Sequence, residues 1–103
     1  MATGRLGAVD LAATTYTACY TNATTNAVVS LTMCNRTTSP VTIRLALSTT
    51  PSSPTNGEFI EYGAVIPANG VLERTGLVLS NAQSISAYSS AASVSVVVYG
   101  IEA

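Results

Sequence analysis

The sequence predicts an all-β chain, an antiparallel β-sandwich of the jelly-roll or immunoglobulin-like kind, or a small barrel, with about eight short strands and little or no helix. Three observations predict it. Apolar residues recur at every second position through most of the chain. Turn residues interrupt these runs at intervals of about ten residues. No stretch combines a helical period with capping residues. At 103 residues the chain is read as one domain, 1–103, large enough for one modest core.

Taken in order, residues 1–10 are weakly patterned and read as a possible N-terminal arm, with Met1 to Ala8 free to extend over a neighbouring subunit. Tyr16, Ala18 and Tyr20 then alternate with Thr15, Thr17 and Cys19, and Ala27, Val29, Leu31 and Met33 alternate with Val28, Ser30, Thr32 and Cys34. Paired as a hairpin around Thr21 to Asn26, these two runs set Cys19 opposite Val28 and Cys34 opposite Ala13. That register keeps the sulfurs apart and predicts free thiols, as does a reducing compartment. Val41 to Leu47 is the clearest strand, with Val41, Ile43, Leu45 and Leu47 on one face and Thr42, Arg44 and Ala46 on the other. Ile43, Leu45, Leu31 and Val29 are expected to share the core.

Thr50 to Gly57, with two prolines and an Asn-Gly, is the longest loop. Glu58 to Ile66 and Val71 to Leu79 flank Pro67-Ala68-Asn69-Gly70, which predicts a hairpin. Asn81-Ala82-Gln83 is a shorter turn before Ser84 to Ala91. In the last strand, Ser93 to Ile101, Val94, Val96 and Val98 occupy one face and Val97, Tyr99 and Ile101 the other. A strand apolar on both faces is central or covered by a partner.

The charge inventory narrows the function classes. Charged residues are 9% of the chain, against about 25% in ordinary domains. The cations are Arg5, Arg36, Arg44 and Arg74; the anions are Asp10, Glu58, Glu61, Glu73 and Glu102; Lys, His and Trp are absent. Clustered cations for nucleic acid or anionic lipid are missing, so neither is an expected partner. No run approaches the length of a membrane helix, and the first residues lack the apolar core of a signal peptide, so synthesis in a cytoplasm is expected. Asn22-Ala23-Thr24 and Asn35-Arg36-Thr37 match the glycosylation acceptor pattern and are read as chance.

The same inventory leaves nothing from which to build a nucleophile–base device, a Schiff-base lysine or a zinc site. No catalytic, cofactor-binding or metal-binding residues are assigned, and the chain is not expected to be an enzyme. Glu58 and Glu61, the only closely spaced carboxylates, fall on opposite faces of a strand and read as solvated or ion-paired. Tyr16, Tyr20, Tyr62, Tyr88 and Tyr99 suit packing more than sugar stacking. Arg44 and Arg74 are equally compatible with exposed positions and with carboxylates of a partner. The uncharged, β-branched run Val94 to Tyr99 carries no guarding Lys or Glu, which points to a surface covered in use, by a sister chain or a larger assembly.

Val41 to Leu47, Glu58 to Tyr62, Ile66 to Gly76, Ser93 to Val96 and Gly100 to Glu102 together resemble segments of small structural proteins of tailed bacteriophages, cyanophage-like virions among them. The likeness covers residues 40–103, and Pro67 to Gly76 is its most specific piece. It implies a β-sandwich virion component without cofactors. The first expectation is a capsid decoration (cement) protein that binds the major capsid protein and forms a trimer or dimer. The alternatives are a tail, baseplate or fibre-associated module, and a host-facing sugar-binding or adhesive domain.

Overall fold

The computed structural model describes residues 2–103 as eight strands and one short 3-10 turn. The strands are β1 (Thr3–Leu11), β2 (Thr17–Thr21), β3 (Asn26–Asn35), β4 (Val41–Ser48), β5 (Phe59–Ile66), β6 (Val71–Ser80), β7 (Ser84–Ser89) and β8 (Val94–Glu102). They form two antiparallel sheets. Sheet A has the order β1-β8-β3-β6, and sheet B the order β2-β7-β4-β5. The first strand pairs with the last, the second with the seventh, the third with the sixth and the fourth with the fifth. One long hairpin has been rolled up, and lateral pairs β3–β8 and β4–β7 complete the sheets. Of the two expected sandwich types this is the jelly roll.

Rolling has a consequence for every connection. Only β4 and β5 are both consecutive and paired, so only the loop between them closes a hairpin. All other connections are arches that cross from one sheet to the other. The hairpin expected around Thr21 to Asn26 is therefore an arch: β2 lies in sheet B and β3 in sheet A. The hairpin expected at Pro67 to Gly70 is likewise an arch between β5 and β6. Asn69 supplies the left-handed residue there, at φ 55°. Asn-Gly provides a tight reversal but does not choose the partner of the strand that follows it.

The expected arm is also corrected. Residues 3–11 form an edge strand paired along β8 from Thr3–Ile101 to Leu11–Val94. Met1 lies outside the described residues. The weak patterning of β1 follows from its edge position and from Gly7. A Cβ at Gly7 would stand 2.1 Å from the Cys19 carbonyl oxygen, so β1 and β2 approach there only because the side chain is missing.

The core takes the inward face of each strand. Val29, Leu31, Ile43 and Leu45 are buried together as expected, with Val94, Val96 and Val98 from β8 and Ile85 and Ala87 from β7. Cys19 is buried and Cys34 is half-buried, and both are free. They are separated because their strands belong to different sheets, not by the hairpin register first inferred.

The Asn-x-Thr sequences are structural rather than accidental. Asn22 and Asn35 are completely buried. The Asn22 side-chain oxygen accepts from the Thr24 N–H at 3.0 Å and contacts its hydroxyl at 2.6 Å, while its amide donates to the carbonyls of Leu79 and Ser80 at 3.0 and 3.1 Å. Asn35 repeats the arrangement. Its oxygen meets Thr37 N–H at 3.0 Å and hydroxyl at 2.7 Å, and its amide donates to Ser39, Ile66 and Pro67 carbonyls at 2.8, 3.2 and 3.1 Å. Each asparagine closes its own arch and ties it to the arch beside it.

Two stability predictions follow from these positions. Leu45→Ala should cost about 2–5 kcal/mol in denaturant unfolding, and Arg44→Ala much less; equal losses would overturn the face assignment. Asn35→Ala should cost about 2–4 kcal/mol, because it strands the buried Ile66 carbonyl and the part-buried Ser39 and Pro67 carbonyls, whereas Asn81→Ala, an exposed arch residue, should cost less than about 1 kcal/mol.

Candidate functional site

The register places four side-chain rows on the outer face of sheet A. Ile101, Val28 and Val78 are neighbours on β8, β3 and β6, with Thr3 on β1. They are 54%, 52% and 59% exposed. The next row carries Arg5, Tyr99 and Ser30, the next Ala8, Val97, Thr32 and Glu73, and the last Asp10, Ser95, Cys34 and Val71. The centre of this face is free of charge: β8 presents Val97, Tyr99 and Ile101 there beside Ser95, and β3 presents Val28 beside Ser30 and Thr32, while Val94, Val96 and Val98 of β8 point into the core. That double apolarity was legible in the sequence, and β8 is indeed central. Its inner face fills the core, and its outer face is bare.

The outer face of sheet B is furnished instead. Towards one end the β4–β5 loop lies over it: Ser86 donates to the Pro51 carbonyl at 2.6 Å, and Ser48 Oγ accepts from Thr50 N at 2.9 Å. Beside the loop, Arg44 lies 4.4 Å from the ring centre of Tyr62 and 4.6 Å from that of Tyr88. It donates to the Tyr16 hydroxyl at 2.9 Å. That hydrogen bond is the first cause of the upward shift of the guanidinium pKa, so Arg44 stays cationic. Tyr16 packs on Tyr88 at 4.9 Å and Phe59 on Tyr62 at 5.0 Å. Three of the tyrosines weighed as a sugar platform thus stand together, with Tyr62 64% exposed. Tyr20 is not among them. It is buried, its hydroxyl donates to Glu102, and burial first and Glu102 second push its pKa up.

No family model, curated protein or solved structure matches the chain.

The charges complete the picture. Arg36 pairs with Asp10 at 2.5 Å, and Arg74 with Glu61 at 2.8 Å. The second pair joins β6 of sheet A to β5 of sheet B and closes one side of the sandwich, so Arg74 finds its carboxylate within the chain. Glu58 does not act with Glu61. It accepts from Thr55 N at 2.9 Å, the first cause holding its carboxyl below the usual range. Glu102 receives Tyr20, and Arg44 sits in its aromatic cage. Among the described residues, Arg5 and Glu73 alone of the charged side chains have no partner; both are exposed, on the two edges of sheet A's outer face.

The two thiols report the two environments. Burial pushes the Cys19 thiol up to about 12, while Cys34 is half-exposed on sheet A's outer face. A thiol reagent on the native protein at pH 8 should modify Cys34 first and Cys19 only on unfolding, with both titrating under denaturing, non-reducing conditions. Equal native rates would contradict the assignment of Cys19 to the interior.

Proposed function

We propose that the chain is a non-enzymatic structural protein of a tailed-phage virion, a capsid decoration protein that stabilises the shell by binding the major capsid protein. The observation that carries this reading is the bare apolar outer face of sheet A. A domain of this size has one interior, and β8 has already filled it with Val94, Val96 and Val98. Val97, Tyr99 and Ile101 on its opposite side, with Val28 and Val78 beside them, are available for contact with another protein. Contiguous apolar surface of this kind marks interaction sites. Weak contacts repeated over a shell sum to a large stabilisation through multivalency.

The fold is consistent with this reading by analogy. Jelly rolls serve in viral capsid proteins and in lectins, and fold alone does not choose between them. The cluster of Tyr16, Tyr62, Tyr88 and Arg44 is the observation that favours a second reading, a host-facing sugar-binding domain. Aromatic faces stack on sugar rings, and an arginine without a carboxylate partner suits an acidic sugar.

The test is copy number in purified particles. A decoration protein should approach the major capsid protein in stoichiometry, whereas a tail, baseplate or fibre module should be far scarcer. Val97→Lys, at the centre of the bare face, should reduce occupancy sharply; full occupancy by this variant would overturn the role given to sheet A. For the second reading, a glycan screen should show binding by the wild type that Tyr62→Ala abolishes.

A further inference from the structure

We infer that the outer face of sheet A binds the same face of a second copy, in a two-fold dimer whose axis runs parallel to the strands and which is closed at each edge by Arg5 of one copy and Glu73 of the other. This rests on the assembly reading above but gives this face to a sister chain instead of the capsid protein, so that the dimer is the unit that meets the shell through its other surfaces.

The first argument is charge complementarity. Among the described residues, all but two of the charged side chains are engaged within the fold. The two left over are opposite in sign, lie on one face, and occupy its opposite edges: Arg5 on β1 and Glu73 on β6. Self-association through one patch requires the patch to be complementary to itself under a two-fold rotation. A rotation about an axis along the strands lays β1 of one copy over β6 of the other. It brings Arg5 to the partner's Glu73 edge twice, by symmetry. Arg5 stands in the row of Tyr99, and Glu73 in the row of Val97. The offset is one side-chain row, about 7 Å along the strand, which an extended arginine spans. An axis across the strands would instead stack β6 on β6 and bring the two Glu73 side chains towards each other, a repulsive arrangement.

The second argument is area. Four strands at about 4.8 Å spacing and roughly 30 Å in length give a face of about 600 Å² per copy, or about 1,200 Å² in total, at the lower end of stable specific interfaces. The centre of that area is uncharged, with Val28, Val97, Tyr99 and Ile101 beside Ser30, Thr32 and Ser95, and its charges lie at the edges. Charge depleted at the centre and kept to the rim is the anatomy of an association surface. Sheets packed face to face in this way lie about 10 Å apart, within the reach of interdigitating valines and tyrosines.

The test uses sedimentation equilibrium on the purified full chain, wild type and three variants: Arg5→Glu, Glu73→Arg, and the two combined. The wild type should be a dimer at low micromolar concentration. Each single reversal sets like charges together at both edges and should weaken association by at least about tenfold. The combined variant should recover most of that loss. Both positions are exposed, so far-ultraviolet circular dichroism and the unfolding midpoint should remain those of the wild type. A monomeric wild type at 100 μM would overturn the dimer. A dimeric wild type whose double reversal is no tighter than the singles would overturn this register. If a monomeric wild type nonetheless fills particles at full copy number, the dimer falls while the virion reading stands.

Discussion

The jelly roll depends on two buried asparagines at the ends of its arches. A rolled hairpin has few consecutive strand pairs, so its arches receive little help from the ladders on either side. At these two places the carbonyls of Leu79 and Ile66 are buried, and buried polar groups need partners. Asn22 and Asn35 supply them. Each holds its own turn through the threonine two residues on, and each donates to the carbonyls of the adjoining arch. The two arch pairs they join are β2–β3 with β6–β7, and β3–β4 with β5–β6. With these fixed, β3 lies between β6 and β8, and the last strand closes on the first.

That placement determines how the surface is distributed. Sheet B carries the single hairpin loop over one part of its outer face and the Arg44 aromatic cluster over another. Sheet A receives no such cover, because none of its own strands are consecutive in the chain and no loop long enough returns across it. β8 is hydrogen-bonded on both sides, so its backbone is satisfied, yet its outward side chains meet solvent. The sparse charge is therefore arranged rather than merely reduced. The ion pairs sit at sheet margins, the caged arginine on sheet B, and the two unpaired charges at opposite edges of the bare face.

Much of this was legible in residue order, and the failures have a common cause. The alternation in Val41 to Leu47 and Val94 to Ile101 identified strands, their faces and the central position of β8, because side-chain period is a local property. Strand pairing is not local. Asn-Gly at Asn69-Gly70 and the short Thr21 to Asn26 connection satisfy the grammar of a hairpin and the geometry of an arch equally well. β1 escaped recognition because an edge strand with Gly4 and Gly7 has little apolar alternation, and its pairing partner lies at the far end of the chain. The Asn-x-Thr repeats carried the strongest missed signal. The same short spacing before a strand, occurring twice in one small domain, marks a side chain that caps its own turn. The cluster around Arg44 could be found only by folding, since Tyr16, Tyr62 and Tyr88 come from distant segments.

If the chain assembles through the outer face of sheet A, that face is covered while that of sheet B remains open. Methyl relaxation by an inert soluble paramagnetic probe reads this directly, at a protein concentration where the chain is assembled and at one where it is dilute. The methyls of Val28, Val78, Val97 and Ile101 should become shielded on assembly, whereas Val65, exposed on sheet B, should stay accessible. Unchanged relaxation at the sheet A methyls under both conditions would contradict assembly through that face.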